Sequence, residues 1–189
     1  RGAIISSLIA GTFPERISHV ALIDGHMPSL ADAQGSAVQL AKSLHEHRRY
    51  ANTPPSFFHS FERAVQARIN GFLPLQECAA VMLAERGVRE EPRGFYWHND
   101  QRLKAASEFK MTREHLKDFH SAITARVMLI QAEGSPFYAS SNRDSGNDEA
   151  FSWIASLQLL AMPGSHHLHM EDQAQQVAEK IQQFIQPAG

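Results

Sequence analysis

The sequence predicts an α/β fold: a mostly parallel sheet flanked by helices, with a helical segment inserted between its strands. Three observations lead there. Three short apolar runs, Val20–Ile23, Arg126–Ala132 and Leu157–Met162, have the length and character of buried parallel strands. Helical patterns precede, separate and follow these runs, and such alternation favours a parallel sheet. Three polar residues, Asp24, Glu133 and His166, fall just past the ends of the runs. Parallel sheets carry their function at the carboxyl ends of their strands.

Taken in order, residues 2–10 (GAIISSLIA) are small and apolar and predict a buried helix that ends near the GTFPER turn, since Pro14 cannot continue a helix interior. The first strand follows and breaks at Asp24-Gly25. From Met27 to Ala122 charged residues interleave with apolar ones at helical spacing, which predicts helices over about 30–50, 57–70, 74–86 and 112–122. Thr53-Pro54-Pro55, Gly71 and Gly87 separate them. Pro74 suits a first turn, and Thr112 before Arg113-Glu114 suits a helix start. Residues 135–150 are rich in Ser, Asn, Asp and Gly and predict an exposed loop. The last strand leads into Pro163-Gly164-Ser165-His166. A closing helix over about 172–184 follows, with Val177, Ile181, Phe184 and Ile185 on its buried face. The expected division is core 1–26, helical insertion 27–122 and core 123–189.

A length of 189 residues fits one core with an inserted smaller domain. With 43% hydrophobic and 20% charged residues the chain has a globular composition. A net charge of -2 gives no reason to expect nucleic acid or an anionic membrane as partner. No apolar run approaches the roughly 20 residues that span a bilayer. The single cysteine, Cys78, excludes an internal disulfide framework and is compatible with a reducing, cytoplasmic setting. Its helix-like surroundings read as core or near-core. The chain opens on Arg1-Gly2 without an initiator Met and runs straight into a helical pattern, so a fragment or processed chain is expected. Nothing in the sequence indicates an oligomeric state.

The segment Pro163–Glu171 (PGSHHLHME) carries the strongest chemical signal. A histidine that takes a proton from a nucleophile and returns it needs a loop position after a strand, where its ring faces a cleft. His166 stands first after the turn and is favoured over His167 and His169. Two other readings of the local sequence stay open. One is a solvated histidine-rich loop; the other is a metal site through His166 and His169, although no further residue has ligand spacing.

Two stretches resemble the α/β-hydrolase family. RGAIISSLIAGTFPERISHVALIDG is similar to the segment after that family's Gly-x-Ser-x-Gly nucleophile turn. LLAMPGSHHLHMEDQAQQVAEKIQQFI is similar to its last strand, histidine loop and closing helix. Within the family, HNDQRL (98–103) and MTREHL (111–116) look most like the serine hydrolase-like proteins. The resemblance implies that this chain is the C-terminal part of the fold and that the nucleophile lies immediately before Arg1. His166 then takes the base position, with Glu171 as the common acidic residue five later. Arg1 would supply a backbone oxyanion-hole amide, and the insertion would be a cap over the cleft. Ser6 and Ser7 lie within the following helix and are not nucleophiles.

The acid departs from the family's pattern. Its usual place after RVMLIQA is Ser135 here, which cannot hold an imidazolium. Asp24, at the end of the preceding strand, and Glu133, two residues before Ser135, are the substitutes. Each has a plain alternative, Asp24 as a turn residue that caps backbone amides and Glu133 as a solvated side chain, which leaves open a site with no functional acid. Phe57, Phe58, Phe61, Phe95, Tyr96 and Trp97 would line an apolar pocket for an acyl group or form the cap's own core.

The expected function is an esterase-like serine hydrolase acting on a small or medium ester, with no cofactor and a small-molecule substrate. The alternatives are an epoxide or haloalkane hydrolase with an upstream Asp nucleophile, and a non-catalytic binding protein of the same fold. The chain by itself is expected to be inactive and to expose a sheet edge.

Overall fold

The computed structural model describes residues 1–25, 28–141 and 147–186. In chain order its elements begin with α1 (Gly2–Thr12), β1 (His19–Ile23), α2 (Ser36–Ala51), β2 (Phe57–Phe58), α3 (Phe61–Ile69) and α4 (Glu77–Gly87). They continue with β3 (Val88–Glu91), β4 (Gly94–Trp97), α5 (Arg113–Ser121), β5 (Arg126–Ala132), α6 (Pro136–Ser141), α7 (Asn147–Ser152), β6 (Leu157–Met162) and α8 (Ala174–Ile185). They form two compact units, one of residues 1–32 with 111–189, the other of residues 33–110.

The first unit is built on a parallel sheet in the order β1-β5-β6. β5 lies in the middle, and Val127 to Ile130 on it are all buried. Alternate side chains serve two layers, as the pleat of a strand requires. Val127 and Leu129 pack with Val20, Leu22, Ala10 of α1, Ile123 and Ile154. Met128, Ile130 and Ala132 pack with Met162, Leu168, and Val177 and Phe184 of α8. The sheet is therefore covered on both faces, and its continuous apolar strands follow from that burial. β1 and β6 are its edges.

Several sequence expectations need correction here. Ile185 is exposed, because Val177, Ile181 and Phe184 already form the buried stripe of α8 and the next residue turns away from it. The stretch over 135–150 is more ordered than a loop: α6 begins at Pro136 and α7 runs over Asn147–Ser152. The intervening residues 142–146 lie outside the described residues. Helix α5, expected inside the insertion, belongs to the first unit. Thr112 caps it and exchanges bonds with His115, Leu116 on it is fully buried, and the helix packs on α1. The second unit runs over 33–110, where an insertion over 27–122 was expected; the expected start, Met27, lies outside the described residues.

The second unit is not all helical. It holds a small antiparallel sheet in the order β2-β4-β3. The expected helix over 57–70 starts only at Phe61, where Ser60 caps it, and Phe57-Phe58 pairs with Phe95-Tyr96 instead. Pro74 precedes α4 rather than opening it. The aromatic residues pack among themselves. Phe57 meets Tyr96 with ring centroids 5.2 Å apart, and Phe61 meets Phe95 edge-on at 6.5 Å. Trp97 donates from Nε1 to the Ala64 carbonyl. All six, Phe58 included, are half-buried, and the buried interior of this unit is made of Ala64, Val65, Leu75, Ala79, Ala80, Ala84 and Val88. Cys78 is exposed, because α4 buries its alanines Ala79, Ala80 and Ala84 and turns the cysteine outward.

Candidate active site

The three strand ends meet as the parallel sheet dictates. β1 and β5 run in register up to the pair Ile23 and Ile130, and β5 and β6 up to Ala132 and Met162. The next residues of each strand therefore leave the sheet at the same edge. Asp24 sits there with φ of 45°, a left-handed conformation that Asp and Asn tolerate better than other side chains. Its own amide still donates to Ile130, so the turn is tied to β5.

Asp24 is almost wholly buried, its side chain 4% exposed, and both of its carboxylate oxygens are engaged. Oδ1 accepts from the Ala132 amide at 3.0 Å. Oδ2 accepts from Nδ1 of His166 at 2.6 Å. A buried carboxylate that accepts two bonds, one from an imidazole, holds that ring in one tautomer and one orientation. Nε2 is then left to act as proton acceptor. The His166 side chain is 27% exposed, so the ring retains access to a reacting group. The rings of Phe137 and His167 stand edge-on to it at 5.1 and 4.9 Å.

The loop that carries His166 is fixed from two sides. Below, Leu168 is fully buried against the core. Gly134 donates its amide to the Gly164 carbonyl at 2.9 Å. A Cβ on Gly134 would stand 2.7 Å from that oxygen, so only glycine permits the approach. Gly164 itself has φ of 132°, which again requires glycine. On the other side Ser165 donates from Oγ to Glu171 Oε2 at 2.6 Å and accepts from the His167 amide at 2.9 Å.

Of the two carboxylates expected to serve His166, the structure brings Asp24 to it. Glu133 is exposed, and its amide donates to Met162 as β5 ends. Ser135, at the family's usual acid position, is buried; its Oγ accepts from the Phe137 amide at the start of α6. Sequence reasoning missed this short helix and with it the ring of Phe137 beside His166. The signal was present, since Ser followed by Pro is a common helix start. Arg1 caps α1 with its backbone only, its carbonyl accepting from Ile5. The start of α1 adjoins the aspartate's turn, because a Cβ on Gly25 would lie 3.6 Å from that of Ala3.

His169 carries a lowered pKa. Partial burial of its ring is the largest cause, and the neighbouring His167 and His166 add to it, while Glu171 and Asp24 pull the other way. Among the described residues no cluster of three or more His, Cys, Asp or Glu side chains is placed to hold a metal ion. No helix among them is long and apolar enough to cross a membrane.

No family model matches the chain. A serine hydrolase-like protein of Danio rerio is 25% identical over 98% of the chain, and a probable serine hydrolase of Drosophila melanogaster is 23% identical over 99%. The chain spans 58% of the length of each of these curated relatives. Among solved structures, a hypothetical protein from Pseudomonas aeruginosa superposes with a TM-score of 0.86 at 31% identity, over 96% of this chain and 64% of that one. The thioesterase domain from the curacin biosynthetic pathway superposes with a TM-score of 0.74 at 19% identity, over 95% of this chain and 63% of that one, a likeness of fold. The sheet and the histidine loop have the fold of the α/β-hydrolases, and in sequence the chain is similar to serine hydrolase-like proteins.

Proposed function

We propose that the chain carries the base and the acid of a serine hydrolase that cleaves a small or medium ester. The single observation that carries this reading is the 2.6 Å bond between His166 Nδ1 and the buried Asp24 carboxylate at the strand ends. Its counterpart is a serine in the turn at the head of α1, the place the fold gives its nucleophile. His166 Nε2 takes the serine proton as the hydroxyl attacks the ester carbonyl, and then returns it to the leaving alcohol. Water repeats the cycle and releases the acid. Asp24 fixes the tautomer and stabilises the imidazolium. Glu133 takes no part. Backbone amides hold the oxyanion, and that of Arg1, next after the nucleophile, is one of them. The lone, exposed Cys78 suits a reducing, cytoplasmic setting.

The test uses the natural full-length protein and a fluorophosphonate probe, which labels activated serines. Labelling at the serine before Arg1 is expected, and His166→Ala should lower both labelling and turnover of p-nitrophenyl butyrate by about 10^4-fold or more. An aspartate at that position, with hydrolysis of an epoxide or a carbon–halogen bond, would overturn the serine mechanism. Full turnover by His166→Ala would overturn the role of the histidine.

A further inference from the structure

We propose that Ser165 and Glu171 form a positioning pair that holds the His166 ring in its working orientation. The inference rests on the reading of His166 as the base and adds residues which that reading does not need.

The geometry is a closed bridge around one residue. Ser165 precedes His166 directly, and its hydroxyl proton is committed to Glu171 Oε2 at 2.6 Å. The Ser165 Oγ in turn accepts from the amide of His167, the residue directly after His166, at 2.9 Å. The backbone on both sides of His166 is thus tied to one serine oxygen, and that oxygen is tied to a carboxylate. The carboxylate is anchored in turn. The Glu171 amide donates to Leu168, and its carbonyl accepts from Ala174, the first residue of α8. The Ser165 carbonyl accepts from Leu168, whose side chain is fully buried. The bridge therefore links the loop of the base to a helix packed into the core.

Asp24 bonds the ring, and the rings of Phe137 and His167 stand edge-on to it. Asp24 restrains Nδ1, one atom of the ring, and a single bond still permits the loop to swing about it. The Gly134–Gly164 contact fixes the loop on its strand side. The Ser165–Glu171 bridge fixes the opposite side, between His166 and α8. A partner of this kind sets the orientation of the reacting group rather than touching substrate, so its loss should appear in kcat more than in KM. A hydrogen bond to an ionised acceptor is among the stronger kinds, which suits it to the task.

The experiment measures p-nitrophenyl butyrate hydrolysis by the full-length protein. Ser165→Ala and Glu171→Ala are each expected to lower kcat about 10-fold, with KM changed less than about twofold. The double variant should lose no more than either single one, because the two residues act as one unit. Ser165→Thr keeps the hydroxyl, and Glu171→Gln keeps an acceptor; both should recover most of the rate, and thermal melts show which variants are folded. Unchanged kcat in the alanine variants, or losses that multiply in the double variant, would overturn the pair while leaving His166 as base. So would Thr and Gln variants that fold yet stay as slow as the alanine ones. Full activity of a His166→Ala control would remove both the pair and the reading it rests on.

Discussion

The ends of β1 and β5 stand side by side in the same sheet, yet they are built for different work. The end of β1 presents a buried carboxylate in a left-handed turn, with both oxygens occupied. The end of β5 presents an exposed glutamate, a glycine pressed against the histidine loop, and a serine that starts a helix. An acid reaches His166 from the first position and none does from the second. Both strands end at the same edge of the sheet, so position at that edge is not enough: the turn after β1 aims its carboxylate at His166, and the turn after β5 does not. β5 contributes its part through backbone, since the Ala132 amide holds Asp24 and the Gly134 amide holds Gly164.

The largest expected effect breaks or sharpens that contrast directly. In the full-length protein Asp24→Asn should lower kcat by about 10^4-fold, since the ring loses the partner that fixes its tautomer. Asn tolerates the φ of 45° and can still accept from Ala132, so the fold should survive. Circular dichroism and a melt check that. Glu133→Gln should leave kcat unchanged within about twofold, as expected of an exposed side chain away from the chemistry. A large loss in the Gln variant would reverse the assignment of the two strand ends.

How far this contrast could be read beforehand depends on the kind of residue. The strands over 126–132 and 157–162 were legible because both are short apolar runs between turn residues, and burial leaves such runs little choice of structure. Asp24, Glu133 and His166 were legible as strand-end residues for the same reason. The choice between Asp24 and Glu133 was not, because it turns on the register of β1 against β5, which no local pattern encodes. The sheet of the second unit was missed for another reason. β2 has two residues, and β3 reads Val-Arg-Glu-Glu, three of them exposed. Such edge strands carry no apolar periodicity. Pro92-Arg93 between β3 and β4, followed by Gly94 at φ of 118° as β4 begins, was the available signal.

A smaller effect is expected from moving the acid. Ser135→Asp, added to Asp24→Asn, restores a carboxylate at the family's usual place. Phe137, two residues on, already stands against the His166 ring. Recovery of about 10-fold in kcat would show that either strand end can serve the ring once it bears a carboxylate. No recovery would mean that the Ala132 amide and the turn at β1 supply something that charge alone does not. The buried Ser135 also gives up its bond to the Phe137 amide, a loss of about 1 kcal/mol that a melt would register.

The smallest expected effect lies in the titration of the histidine loop. His169 is held below its ordinary 6.5, first by partial burial, then by His167 and His166, against the opposing pull of Glu171 and Asp24. With the folded value depressed, the unfolded chain binds the proton first as pH falls. The stability His169 contributes is therefore complete above about the ordinary value and is lost as pH falls through the folded one. Because the ring is partly exposed, the change in stability should be slight. The site-resolved titration of its ring protons by NMR is the sharper readout, and its midpoint should lie below 6.5. Asp24 is among the charges that act on this ring and Glu133 is not. Glu133→Gln should therefore leave the midpoint where it is. A displaced midpoint in that variant would place Glu133 in the field of the histidine loop, and the two strand ends would no longer differ in the way their side chains imply.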